Sequence, residues 1–356
     1  HQDSYQLTLI DKIESVIKRK RWRAQFYLNK EQTDNNIKET FGFNSRKCPP
    51  SCTELIPFEK DMLDIITSLK YRDVKDAFQK KLKEDIRKIK KSKNVFVFAD
   101  KTSNIYEISK EDHKKLLHDN VTKTYRKAPP KLETSINMEA KHIATNLELS
   151  DRIECIAKSP SFVTLKDHKD NFRSNPTCRL INPSKNELGK VSKKLVENIN
   201  CSIIEKLKLN QWKNTDAVLS WFDNISEKRN CKFVQFDIKD FYPSITENIL
   251  NNAFNFAKQH VNIDENNLRI IKHCRKSLLF HDNETWKKKT TDSCFDVTMG
   301  SFDEAEICEL VGLYIQSKLQ NILDKSNFGL YRDDGLALLR NLRGHQTDRI
   351  RKEIIK

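Results

Sequence analysis

Apolar residues near the start of the chain recur at helical spacing: Leu9, Ile10, Ile13, Val16 and Ile17, continued by Trp22 and Phe26. The stripe predicts a long helix, and residues 18–23 give it a basic face. Residues 30–57 turn polar and then Pro-rich, and read as a linker or ordered loop. Helical spacing returns in Phe58, Met62, Ile65, Ile66 and Leu69, and again in Phe78, Leu82, Ile86 and Ile89, before the charge run at 88–93. After Asn94 the period shortens: residues 95–98 and 104–108 read as strands of a hairpin around Asp100-Lys101-Thr102. Ser109, with Asp112 three residues on, gives a capping signal for a helix through 117. Pro129 and Pro130 mark a break over 127–135, and helical spacing resumes over 138–149.

Two strand patterns, 161–165 and 177–181, flank a charged loop at 166–175, and residues 188–208 and 214–228 read as helices. Residues 233–237 form an apolar strand ending in Asp237, with a helix to follow. Residues 306–319 predict another helix, 329–338 a strand, turn and strand, and 347–356 a last helix. No internal repeat is visible.

Composition narrows the classes. Lys and Arg number 65 against 50 Asp and Glu, a net charge of +15. That balance favours a polyanionic partner, nucleic acid first and an anionic membrane surface second. No apolar run is long enough to span a membrane, and 7 Gly and 9 Pro exclude collagen-like chains. Nine scattered cysteines argue for reduced thiols inside a cell rather than a secreted disulfide framework. Cys48-Pro-Pro-Ser-Cys52 resembles half of a metal knuckle, but no second Cys/His pair follows at zinc-finger spacing. A Pro-rich linker with two free thiols is the simpler reading. Asp11, Lys12 and Glu14 interrupt the first apolar residues, so no signal peptide is expected, and a chain opening on His1 is expected to be part of something longer.

The chemistry lies in carboxylates. Phe233-Val-Gln-Phe-Asp237 runs into an aspartate with Tyr242 five residues later, and Tyr331-Arg-Asp333-Asp334-Gly335 places two adjacent aspartates on a turn between strands. Adjacent carboxylates repel, so such a tip needs a cation or full solvation. If the two strands are neighbours, Asp237 joins Asp333 and Asp334. That set suits two Mg²⁺ ions roughly 3.5–4 Å apart for in-line phosphoryl displacement. Met299-Gly300-Ser301 lies between the two segments.

In this order the motifs resemble those of reverse transcriptases, most closely the Penelope-like retroelement type. Residues 236–245 look like motif A, Thr298-Met299-Gly300-Ser301 like motif B, and Tyr331-Arg332-Asp333-Asp334 like the Tyr-x-Asp-Asp box of motif C. Leu165-Lys-Asp-His-Lys169 and Cys178-Arg179-Leu-Ile181 resemble the finger motifs before motif A, and Ala99-Asp100-Lys101 a segment found before those fingers. The resemblance runs from about Val95 to Leu339.

It implies an α+β right-hand polymerase core, with an antiparallel palm sheet backed by helices. Fingers would occupy 95–230, the palm 231–340, a helical N-terminal extension 1–94, and the start of a motif D or thumb region 341–356. It also implies RNA-directed DNA synthesis from dNTPs on an RNA template and a DNA primer, with two Mg²⁺ ions (Mn²⁺ as a substitute), and action in the nucleus. Asp237 and Asp333 would be the main metal ligands, helped by the carbonyl of Ile238, with Asp334 as the third carboxylate. Arg179 would clamp the triphosphate, since its planar fork suits phosphate oxygens, with either Lys166 or Lys169 as a second cation. Tyr242 would exclude a 2′-hydroxyl. Gly300, between Met299 and Ser301 at the nucleotide, would let the backbone approach template or nucleotide.

This chain departs from many reverse transcriptases in having Asp296-Val-Thr before Met299 and Phe302-Asp303-Glu304 after Ser301. Carboxylates facing a polyanion are unfavourable, so Asp303 and Glu304 are expected to point away, or else template handling differs. Because 22 residues follow Asp334, a thumb is expected to be missing and activity reduced. A nucleic-acid-binding remnant and a template-dependent RNA polymerase sharing the palm are the other readings open at this point.

Overall fold

The computed structural model describes residues 2–28, 49–70, 72, 76–147, 150, 159–183, 187–289 and 293–355. Helices and strands are mixed along its length. The chain forms two compact units, one of residues 1–97, 105–113 and 145–152, the other of 98–104, 114–144 and 153–356.

The first unit holds α1 (Gln2–Leu28), α2 (Ile56–Ser68), α3 (Ala77–Lys91) and most of a hairpin of β1 (Val95–Phe98) and β2 (Ile105–Ile108). Arg21 of α1 forks onto the Glu59 carboxylate of α2 at 2.6 and 2.5 Å, which holds that carboxyl below its ordinary value. Asp76 caps α3 by accepting the Gln79 N–H. The stripe that predicts α3, Phe78, Leu82, Ile86 and Ile89, is exposed. Cys48 lies outside the described residues, and so do 29–47 of the expected linker; Cys52 is buried and donates to the Glu54 carboxylate.

In the second unit α4 (Lys110–Thr124, entering from the first unit) runs directly into β3 (Tyr125–Lys127) and then α5 (Pro130–Asn146). The break expected over 127–135 is therefore shorter. Pro130 opens α5, where the N–H it lacks would have no helical partner anyway. Next come β4 (Phe162–Leu165), β5 (Cys178–Ile181), α6 (Glu187–Leu207) and α7 (Thr215–Asp223). The helix expected to reach 228 stops at 223, and Glu227 takes a left-handed conformation before the chain reverses. The remaining elements are β6 (Cys231–Asp237), α8 (Phe241–Ser244), α9 (Glu247–Lys258), α10 (Glu265–Cys274), β7 (Leu279–His281), β8 (Glu284–Lys288), α11 (Glu304–Leu319), β9 (Phe328–Tyr331), β10 (Asp334–Arg340) and α12 (Gly344–Ile355).

Strand order is β6-β10-β9 in one sheet, β3-β8-β7 in a second and β4-β5 in a third, with every pairing in them antiparallel. The helices of this unit build a core of their own. Val196 and Ile203 of α6, Phe254 of α9, Ile271 of α10, and Ile307 and Leu310 of α11 pack in one buried cluster. A second cluster joins Val234, Phe328, Ala337 and Leu339 of the sheet to Ile350 and Ile354 of α12. Gly329 is required by close approach: a Cβ there would stand 2.5 Å from the Trp212 ring and 2.6 Å from the Asn210 carbonyl.

Candidate active site

β10 is the centre strand of its sheet because Leu336 to Leu339 can be covered on both faces, and its register sets the site. Asp334 pairs with Asp237 of β6 and with Tyr331 of β9. The two-residue tip between β9 and β10 is Arg332-Asp333, with Arg332 in a left-handed conformation at φ 55°. The Ile238 N–H donates to the Asp333 carbonyl at 2.9 Å, locking the end of β6 to this tip. Gly335 lies opposite Phe236, whose ring crosses it so closely that a Cβ would sit 2.1 Å from a ring carbon. The ring thus packs on the strand just behind the carboxylates.

Asp237, Asp333 and Asp334 therefore converge. Asp237 and Asp334 are exposed and Asp333 is half-buried. Among the described residues none of the three makes a salt bridge. Burial, reinforced by Asp333 and Asp237, pushes the Asp334 carboxyl above its ordinary value, and Lys101 pulls it partly back. Three like charges at a strand end are an electrostatic cost that a divalent cation relieves, and every donor is oxygen.

The residues that resemble finger motifs come together in part. Arg179 on β5 is held by Asp100 at 2.9 Å, and Asp100 also donates its N–H to the Leu165 carbonyl of β4 at 2.7 Å. Thr102 and Asn104 both donate to the Asp167 carboxylate, at 2.6 and 2.8 Å. Residues 99–104 are thus tied to the β4–β5 loop on both sides of Lys101, whose charge reaches Asp334. The sequence marked Asp100 and Lys101 as a motif without a role; their opposite charges beside Arg179 and Asp334 are the signal that was there to find. Lys166 is half-buried and near Cys178, whose thiol burial pushes up to about 11 and Lys166 draws back. Lys169 is exposed farther along the loop.

Tyr242, on the short helix α8, is half-buried with its hydroxyl pushed up to about 12, first by burial, then by Cys308, Glu304 and Asp333, against Arg332. Its hydroxyl is thus within electrostatic reach of Asp333 at the tip and of Glu304, which accepts the Gly300 N–H. In the turn at Met299 the Met299 carbonyl accepts the Asn182 N–H at 3.0 Å, and Gly300 takes φ 116°. A Cβ on Gly300 would lie 2.5 Å from the Asn182 carbonyl oxygen, so the glycine is needed first to seat the turn on the end of β5. The Ser301 hydroxyl donates to Asp303 at 3.3 Å.

Asp303 faces inward, whereas Glu304 is half-buried and its charge reaches Tyr242 and Arg332. Fully buried Asp303 accepts from Arg275 and from the Ser192 hydroxyl, and Glu304 accepts the Gly300 N–H. Asp296 is likewise buried, accepting from Tyr125 at 2.6 Å and Lys288 at 3.1 Å, while Lys288 also donates to the Pro243 carbonyl. The acids that distinguish this chain around Met299 are structural, fixing the turn from below. Arg275, the partner that makes this possible, carries no signal in the sequence.

No protein-family model matches the chain, and no curated protein matches it in sequence. Among solved structures, a telomerase from Candida albicans in complex with a telomeric RNA fragment is similar with a TM-score of 0.49 and 12% identity, covering 86% of this chain and 52% of that one. The RNA-dependent RNA polymerase of a human picobirnavirus is similar with a TM-score of 0.41 and 10% identity, covering 85% of this chain and 66% of that one. The chain therefore spans about half the length of the telomerase chain.

Proposed function

We propose that the chain is an RNA-directed DNA polymerase of the Penelope-like type, extending a primer 3′-hydroxyl with deoxynucleotides on an RNA template. The observation that carries this reading is the register placing Asp334 opposite Asp237, with Asp333 on the tip beside them. The donor set fits two Mg²⁺ ions, held by Asp237 and Asp333 with Asp334 and the Ile238 carbonyl. Bound there, Mg²⁺ would lower the pKa of the 3′-hydroxyl and neutralise charge on the leaving pyrophosphate.

The protein's own groups supply position. Asp100 anchors Arg179 through one nitrogen, and this half-exposed guanidinium is the cation assigned to the triphosphate. Lys166, half-buried beside Cys178 of that strand, or Lys169 on the same loop supplies a second cation, and the charge of Lys101 reaches Asp334. The Tyr242 ring, packed against the helical core, blocks a ribose 2′-hydroxyl. The turn at Met299, Gly300 and Ser301 presents backbone toward the nucleotide while buried Asp303 stays turned inward and Glu304 holds the Gly300 N–H. Residues 95–230 act as fingers and 231–340 as palm, with 1–94 as an N-terminal extension and 341–356 beginning the region that follows.

The test is primer extension by Asp237→Asn and Asp333→Asn beside the wild type, with binding to an RNA–DNA duplex followed in parallel. Extension should vanish in both variants while affinity stays within about threefold. Near-normal extension by either variant would remove the assignment.

A further inference from the structure

β7 and β8 form a hairpin that the periodicity did not predict, with the two-residue turn Asp282-Asn283. Both turn residues have positive φ, 50° and 59°, as a type I′ turn requires, and Asp and Asn tolerate that conformation. The last residue of β7, His281, is 4% exposed. Its ring lies 5.9 Å from that of Trp286 across the hairpin and 5.7 Å from that of His118 on α4. Nε2 of His281 is buried and has no hydrogen-bond partner, and the Asp282 carboxylate stands 3.4 Å away. One ligand atom each from His118, His281 and Asp282 can be chosen so that all three lie within 4.8 Å of one another.

We propose that His118, His281 and Asp282 form a binding site for a borderline divalent cation, Zn²⁺ above all, distinct from the carboxylate site. Two imidazole nitrogens and one carboxylate oxygen are the donor set such an ion prefers, whereas Mg²⁺ and Ca²⁺ favour oxygen alone. Ligands around a tetrahedral Zn²⁺ are about 3.3 Å apart, given bonds of roughly 2.0–2.1 Å. Small side-chain rotations of the two exposed ligands would close 4.8 Å to that spacing. The buried nitrogen of His281 supplies the fixed point. It is unsatisfied without an ion, and an unpaired buried polar atom is a cost that coordination removes. Lys114, one turn earlier on α4, is exposed on a flexible stem, so its charge can swing clear.

The ion would leave a fourth position for water and would act as a staple. It joins α4 to the β7–β8 hairpin, at the opposite edge of the sheet from β3, which α4 runs into. That sheet also carries Tyr125 and Lys288, the partners of buried Asp296 ahead of the Met299 turn.

The experiment uses the full chain stripped with EDTA and titrated with Co²⁺ and then Zn²⁺. The expected result is one Co²⁺ per chain with weak visible d–d absorption and no thiolate charge-transfer band, displaced by Zn²⁺, and a Tm that rises by several degrees in Zn²⁺. His118→Ala and Asp282→Asn, both at exposed positions, should keep the EDTA Tm within a degree or two yet bind at least tenfold more weakly and lose the Zn²⁺-dependent rise. Absence of binding at micromolar Zn²⁺ would overturn the proposal. So would thiolate absorption from Co²⁺, or an undiminished Zn²⁺ response in both variants.

Discussion

Two hairpin tips of the same length carry an aspartate each, and their surroundings differ. Arg332-Asp333 stands beside two more carboxylates and no salt-bridged cation among the described residues, so burial and repulsion raise the Asp334 carboxyl. Asp282-Asn283 stands beside two imidazoles and a tryptophan, one imidazole buried and the other exposed. A two-residue turn is a general device for presenting a carboxylate; the strands and helices beside it decide what the carboxylate can bind. Oxygen donors crowded together favour a hard cation. Mixed nitrogen and oxygen donors favour a resident ion that holds elements together.

The largest effect should come from making the first tip resemble the second. Asp237→His keeps a metal donor but replaces oxygen with nitrogen, and it should cost at least about a thousandfold in Mg²⁺-supported turnover. His118→Ala, at the other tip, should leave turnover within about twofold. Steady-state rates on one primer-template pair compare them directly, and equal losses would erase the distinction.

The first tip also depends on a buttress. Gly300→Ala forces a Cβ against the Asn182 carbonyl at a backbone angle that side chains rarely adopt. It should destabilise the fold by about 1–3 kcal/mol, read from urea unfolding midpoints. A neutral result would mean the turn is not seated on β5. Tyr242→Ala should raise the use of ribonucleotides relative to deoxyribonucleotides by about tenfold, measured as the ratio of kcat/KM values. An unchanged ratio in the folded variant would leave the ring a packing role only.

The smallest effect concerns Asp334. Its folded-state pKa is raised, so ionisation costs stability, and that cost is fully present above the raised value and gone below the ordinary carboxylate range. Asp334→Asn should therefore raise the metal-free Tm slightly at neutral pH, with the gain fading as pH falls through that window. A gain that grew on acidification would contradict the repulsion between the three carboxylates.

Much of this was legible in the sequence where pattern and chemistry are local. The strands ending in Asp237 and flanking the tip announce themselves by apolar runs, although the turn is Arg332-Asp333 and Asp334 already belongs to the second strand. Ser109 does accept the Asp112 N–H as its capping signal predicts. The β7–β8 hairpin was not legible, because three- and five-residue strands are too short to establish a period and Asp-Asn is a weaker turn signal than Asn-Gly. Nor were the ion pairs under the Met299 turn: Asp303 finds Arg275 and Asp296 finds Lys288 only through tertiary folding, so Asp303 looked misplaced beside a polyanion. Asp100 and Lys101 were visible as residues, but their partners Arg179 and Asp334 are brought near only by the strand pairings.

The most direct measurement is extension of a labelled DNA primer on an RNA template in Mg²⁺, with the four dNTPs against the four NTPs, repeated on a DNA template. The predicted result is template-directed incorporation of dNTPs on RNA, strong preference over NTPs, and none once EDTA is added. Incorporation of NTPs in preference to dNTPs, or nucleic-acid binding with no incorporation of either, would contradict it.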